Sequence, residues 1–148
     1  MRYFLDAEFN GFGGALISLA LVREDGHSLY LVYPPPEQPD PWVARHVLPR
    51  LDSVPAGIEV RGVDQAAGAR AIWGFLEEDR SPEIVADWPD DIRCFCQALL
   101  ITPRTMPPFE RLRFDVRRTD PSFTSLPGAV RHNAWWDAMA LRRQLTGV

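Results

Sequence analysis

Three apolar segments separated by short turns occupy the start of the chain. Residues 1–9, 15–24 and 28–34 each have the composition of a β-strand, and ALISLALVRE in the middle is apolar enough for a central strand. EDGH joins the second segment to the third, and a cluster of prolines ends the pattern. The sequence therefore predicts a three-strand antiparallel meander.

The remaining segments alternate between helical and extended patterns. Asp40 and Asp64 are placed to cap helices, the first of them with Pro41 in its opening turn and disturbed at Pro49. Further helices are predicted at 90–101 and 134–145, a buried strand at 82–87, and a strand or extended arm at 111–117. This order predicts an α/β fold, a mixed sheet flanked by helices, in a single domain spanning residues 1–148.

The net charge of −4 argues at first against a polyanionic partner, because nucleic-acid-binding proteins usually carry a basic surface. All 16 basic residues are arginines, however, and a guanidinium can contact phosphate through two hydrogen bonds and stack on bases. The codon bias of a GC-rich genome explains the same composition. The sequence contains no apolar run of membrane-spanning length and no recognisable targeting segment, so we expect a cytoplasmic protein with no membrane partner.

Two carboxylates lie inside the first apolar segment. Asp6 and Glu8 are two residues apart and share one face of the strand, whereas Phe9 belongs to the opposite face, which favours core packing for it. If the strand lies at an edge, both acids can face water. If it is central, unpaired carboxylates are costly, and binding of Mg²⁺ or Mn²⁺ through their oxygens would compensate them.

ADWPDD at 86–91 stands where the buried strand gives way to a helix. Acids favoured by the helix N-terminus explain the motif, with Asp87 or Trp88 before Pro89 and Asp91 in the first turn. The end of a strand is also where an open α/β sheet binds its ligands. Both interpretations remain open on this motif alone.

HNAWWD at 132–137 precedes and begins the last predicted helix, with Asn133 as a possible cap. Five residues of helix separate two side chains by about 140°, so His132 and Asp137 can share a site only if His132 lies in the preceding loop or first turn. The alternative is a surface histidine and a solvated aspartate.

Together the three motifs resemble those of the DEDDh group of 3′-5′ exonucleases. The likeness rests on D-x-E near the N-terminus, an aspartate pair in the middle motif and H-x-x-x-x-D near the C-terminus, and it extends from Asp6 to Asp137. The opening M-R-Y-F and the strand I-S-L-A-L-V resemble the small bacterial exoribonucleases of that group. The resemblance implies an RNase H-like fold that begins with a three-strand meander, and it suggests a homodimer.

The resemblance also implies roles for particular residues. Two divalent cations, Mg²⁺ or Mn²⁺, would be held by four carboxylates, and His132 would be the general base. The four are Asp6, Glu8, Asp91 and Asp137. Asp87 stands where the family often has asparagine, and Asp90 where an aromatic residue is common, which leaves open whether Asp87 or Asp90 assists Asp91.

Candidate substrate-binding residues are Phe12, Arg131 and Asp87. Phe12, in the glycine-rich loop after the D-x-E motif, could stack on a terminal base. Arg131 precedes His132 and could contact phosphate, as could the arginines at positions 111, 113, 117 and 118, although solvated surface charge is the alternative for each of them.

The predicted function is metal-dependent 3′-5′ trimming of short single-stranded RNA, with DNA as a less favoured substrate. The alternatives are a non-catalytic nucleic-acid-binding or scaffolding domain with the same fold, and an RNase H-like endonuclease.

Overall fold

The computed structural model describes residues 1–119 and 126–148. Within these ranges one mixed sheet is flanked by helices. The strands are β1 (Arg2–Phe9), β2 (Leu16–Arg23), β3 (Ser28–Val32), β4 (Arg61–Gly62), β5 (Glu83–Ala86) and β6 (Arg113–Val116). The helices are α1 (Pro41–His46), a 3-10 helix (Leu48–Arg50), α2 (Gln65–Leu76), α3 (Pro89–Ala98) and α4 (Ala134–Thr146).

The described strands follow the order β4-β3-β2-β1-β5-β6 across the sheet. β1, β2 and β3 pair antiparallel, with Asp6 opposite Ala20 and Ala20 opposite Tyr30. β5 pairs parallel to β1, and β6 parallel to β5. The antiparallel meander, the mixed sheet and the flanking helices confirm the predicted α/β fold class and are consistent with an RNase H-like fold.

Each face of the sheet packs against its own helices. On one face Tyr3 and Leu5 belong to a cluster with residues of α2 and α3, and on the other Phe4 packs with Trp135 and Leu141 of α4. β1 and β2 are therefore covered on both sides, which explains why their apolar residues are nearly continuous. Burying each large side chain contributes about 1.5–3 kcal/mol. Asp6 and Glu8 thus lie on a central strand, and their edge-strand interpretation is wrong.

The predicted helix starts are confirmed by their hydrogen bonds. The carboxylate of Asp40 accepts from the backbone N–H of Trp42, and that of Asp64 accepts from the N–H of Ala67. α3 begins at Pro89 but ends at Ala98, earlier than predicted, since the N–H of Ile101 instead donates to the carbonyl of Thr105. Among the described residues, the helices lack the combined length and apolar character that crossing a membrane requires.

Candidate active site

A cleft of about 500 Å³ lies where the carboxyl ends of β1 and β5 meet the N-terminal ends of three helices. β1 and β5 are adjacent and parallel, so both strands deliver their last residues to the same edge of the sheet. The lining comprises Asp6, Ala7, Glu8, Phe9, Gly11, Phe12, Asp40, Trp42, Val43, Asp87, Trp88, Asp91, His132 and Asp137. One cleft therefore contains the four predicted metal ligands and the predicted base. These residues lie up to 131 positions apart in the sequence.

Five of the six acidic side chains that line the cleft form two groups of three, and the sixth is the helix-capping Asp40. One oxygen from each of Asp6, Asp87 and Asp91 lies within 4.8 Å of the other two, and the same holds for Asp6, Glu8 and Asp137. Asp6 belongs to both groups. The alternation of β1 places Asp6 and Glu8 on one face, and the first turns of α3 and α4 contribute Asp91 and Asp137.

Crowding of carboxylates in a buried cleft changes their protonation. Burial raises the pKa of Asp6 well above its ordinary value, and the charges of Asp91 and Asp137 raise it further. Burial likewise raises the pKa of Glu8 to about 8, that of Asp91 to about 8 and that of Asp137 to about 6. After burial, the charge of Asp87 is the largest influence on Asp91. Without a counter-cation, this cluster retains protons near neutral pH.

Asp91 carries the clearest sign that the cluster suits a cation. Its side chain is 3% exposed, and its buried Oδ2 has no hydrogen-bond partner among the residues described here. Leaving a buried carboxylate oxygen unsatisfied is costly, and a cation beside it would remove that cost. Every ligand atom in the two groups is a carboxylate oxygen, which is the donor type that Mg²⁺ and Mn²⁺ prefer. The residues therefore fit the divalent cations that the motifs imply.

Asn133 fixes the start of α4. Its side-chain oxygen accepts hydrogen bonds from the N–H groups of Trp135 and Trp136, which confirms the predicted cap. Its Nδ2 donates to the carbonyl of Arg50 at 2.8 Å, joining α4 to the 3-10 helix. Asn133 is fully buried, so these contacts anchor the residue immediately after His132.

His132 lies in the loop directly before α4, which satisfies the geometric condition for sharing a site with Asp137. Its φ of 60° is in the left-handed region, unusual for a residue other than glycine. The imidazole contacts the Trp42 ring edge to face, with 4.8 Å between centroids. Partial burial lowers the pKa of His132, and the positive charges of Arg50 and Arg131 lower it further, which favours the neutral imidazole.

The aromatic residues of the cleft differ in part from those predicted. Phe12 is 88% exposed at the rim, in a loop whose turn depends on the positive φ of Gly11 and Gly13. Phe9 also lines the cleft and is half-buried, so the expectation that it packs in the core is wrong.

Trp42 and Trp88 were not predicted as site residues, although both line the cleft. Each lies at the start of a helix, one residue from a proline, and this position is the signal that could have identified them.

The candidate phosphate-binding arginines differ from one another in their position relative to the cleft. Arg131 is exposed and is absent from the described lining of the cleft, while its carbonyl accepts a hydrogen bond from Arg50 Nη1 at 3.0 Å. The Arg118 guanidinium lies over the ring of Trp88, 4.6 Å from its centroid, and so contacts the cleft wall. Arg117 pairs with Asp115, and Arg113 with Glu83.

Two curated proteins of Mycobacterium tuberculosis, from strains CDC 1551 and H37Rv, match part of this chain, and each is named a 3′-5′ exoribonuclease. Both are 47% identical to it over 55 residues, which is 34% of this chain and 33% of each relative. The chain thus spans about a third of the length of the curated relatives it matches. No family model matches the chain. The similarity supports a relationship to 3′-5′ exonucleases at this general level.

Proposed function

We propose that this protein is a metal-dependent 3′-5′ exonuclease that trims short single-stranded RNA. The observation that carries the proposal is the pair of three-carboxylate groups sharing Asp6 inside a cleft that also contains His132. The names of the partial relatives add support for an exoribonuclease.

Asp6, Glu8, Asp91 and Asp137 would hold two divalent cations. Bound there, the cations would stabilise negative charge on the entering and leaving oxygens of a phosphodiester. The sharing of Asp6 by both groups supports two neighbouring ion positions. The unpartnered Oδ2 of Asp91 points to a ligand role for that residue.

His132 would accept the proton of the attacking water. A neutral imidazole is required for this step, and the lowered pKa of His132 favours that form. As the water oxygen bonds to phosphorus, the bond from phosphorus to the 3′ oxygen breaks, and that oxygen takes up a proton. The strand is shortened by one nucleotide.

The chain's acidic charge is compatible with a nucleic-acid end as substrate. Phe12 is exposed at the rim and could stack on a base, while Arg118 and Arg131 are candidates for phosphate contacts. An enzyme that engages only a strand end needs no long basic groove, so a net charge of −4 does not oppose the proposal.

The test is incubation of the protein with a 5′-labelled short single-stranded RNA and a matched DNA, in Mn²⁺ or in EDTA. We expect a ladder that shortens from the 3′ end, faster for RNA, and that is lost in EDTA and in Asp6→Ala and His132→Ala. Asp64→Asn, which changes an aspartate that caps α2, is a charge-matched control and should retain activity.

Absence of shortening, together with no Asp6-dependent binding of divalent cations in calorimetry, would favour the non-catalytic alternative. Cleavage of a circular RNA would instead indicate an endonuclease.

A further inference from the structure

Asp87 occupies the position directly after β5 and faces the carboxylates of the neighbouring elements. One of its oxygens lies within 4.8 Å of an oxygen of Asp6 and of an oxygen of Asp91. Asp87 is half-buried and lines the cleft. The four-carboxylate set implied by the motifs does not include it, so the two three-carboxylate groups together contain one acid more than that set requires.

Asp90 is the other acid that could assist Asp91, and the structure separates it from the cluster. Its carboxylate accepts a hydrogen bond from Nε of Arg93 at 2.7 Å, within the same helix. Neither three-carboxylate group of the described residues contains Asp90. The positive charge of Arg93 compensates the negative charge of Asp90, whereas Asp87 lies close to the carboxylates of Asp6 and Asp91.

The carboxylate of Asp87 is oriented by a hydrogen bond, as the carboxylates of metal ligands usually are. Oδ2 accepts a hydrogen bond from the hydroxyl of Thr119 at 3.1 Å. The chain leading to Thr119 is itself held to the end of β5, because the N–H of Arg117 donates to the carbonyl of Ala86 at 2.8 Å. A hydroxyl that donates to a carboxylate oxygen orients the group and still leaves lone pairs for a cation, as outer-shell partners of metal ligands do.

The orphaned Oδ2 of Asp91 is an independent indication that a cation belongs between these acids. Asp91 is 3% exposed, and that oxygen has no hydrogen-bond donor among the described residues. The carboxylates of Asp6, Asp87 and Asp91 repel one another at these distances unless a cation lies among them.

We propose that Asp87 is a direct ligand of the cation shared by Asp6 and Asp91, so that the centre has five carboxylates. The assignment rests on the proposed function and deepens it. A direct carboxylate ligand adds both an oxygen and a negative charge, and so strengthens binding at one ion position and leaves the Asp6–Glu8–Asp137 position nearly unchanged.

The test is calorimetric titration of the metal-free protein with Mn²⁺, comparing wild type with Asp87→Asn and Asp90→Asn. Both variants remove one negative charge and keep nearly the same shape. We expect wild type to bind two ions. Asp87→Asn should bind one of them about 10–100-fold more weakly, and Asp90→Asn should bind both as wild type does. Thermal unfolding shows that each variant is folded, and Asp87→Ala, which lacks the amide oxygen, should weaken that ion further.

Two outcomes separate failure of this assignment from failure of the proposed function. If wild type binds two ions and trims RNA, and Asp87→Asn binds both ions as wild type does, Asp87 is not a ligand and the exonuclease proposal stands. If wild type binds no Mn²⁺, both proposals are wrong.

Discussion

The backbone N–H of His132 donates a hydrogen bond to Oδ2 of Asp137 at 3.1 Å. This bond spans the junction between the loop and α4, at the residue whose backbone is left-handed. Asp137 therefore does two things, since its carboxylate holds the histidine backbone and also belongs to the group with Asp6 and Glu8. The position of the candidate base and one candidate ion position therefore both depend on Asp137.

Replacement of Asp137 tests this link. Asp137→Asn keeps a side-chain oxygen that can accept from the His132 N–H, but it removes the charge. We expect RNA-trimming activity to fall by at least about 100-fold, the upper end of what loss of an outer-shell partner costs a metal site.

Asp137→Ala removes the hydrogen bond as well, so we expect it to lose at least as much activity and to unfold at a lower temperature than Asp137→Asn. Measurement of kcat and of thermal unfolding distinguishes the two variants. Equal melting temperatures for them would show that the bond to His132 does not stabilise the loop.

Trp42 is expected to position the imidazole of His132. An edge-to-face pair of rings is worth about 0.5–1.5 kcal/mol, so Trp42→Ala should lower kcat by up to about tenfold, while Trp42→Phe retains most of the activity. Trp73→Phe, at a tryptophan that packs on Phe109, is the matched control. A change in KM alone in Trp42→Ala would contradict the positioning role and would indicate a substrate contact instead.

Local chemistry explains how much of the fold the sequence could predict. Period-two alternation identified the shared face of Asp6 and Glu8, and the side chains of Asp40 and Asp64 identified helix starts, because each signal acts over a few residues. β4 was not predicted, since two residues carry no periodicity and the strand exists only by pairing with β3. The cap at Asn133 was likewise predictable from its neighbours.

The three motifs predicted which residues would lie together in the cleft, but not the contacts that surround them. The contact of Trp42 with His132 joins residues 90 positions apart, and no local pattern encodes it. The pairing of Asp90 with Arg93, and the place of Asp87 in a carboxylate group, depend on side-chain directions that a sequence does not reveal. Phe9 is the last residue of β1 and lies half-buried at the cleft, where strand alternation no longer indicates burial in the core.

Phe12 is expected to contribute to substrate binding and not to folding. Its ring is 88% exposed, so Phe12→Ala should leave the melting temperature unchanged. Stacking of one base on an aromatic ring is worth about 1–3 kcal/mol, which predicts an increase in KM for RNA of about 5-fold to more than 100-fold. Phe12→Trp should restore binding, as its ring can also stack. Steady-state kinetics on a short RNA measure both effects, and an unchanged KM in Phe12→Ala would exclude Phe12 from the substrate contacts.

The metal-free protein is expected to lose stability as the pH rises. The pKa of Glu8 and that of Asp91 are raised to about 8 and that of Asp137 to about 6, against about 4 for such groups in an unfolded chain. Between these values the folded state binds more protons than the unfolded state, so the free energy of unfolding decreases with pH. His132 acts in the opposite direction because its pKa is lowered, but it is one group against several carboxylates.

Thermal unfolding in EDTA measures this dependence. The melting temperature should fall between about pH 5 and pH 8, and saturating Mn²⁺ should raise it most at the upper end, where the carboxylates are ionised. Asp91→Asn should flatten the slope by removing one of the titrating groups, whereas Asp25→Asn, at an exposed acid paired with Arg23, should leave it unchanged between these pH values. A melting temperature that rises over this interval in metal-free wild type would mean that the carboxylates of the cleft do not repel one another as their positions require.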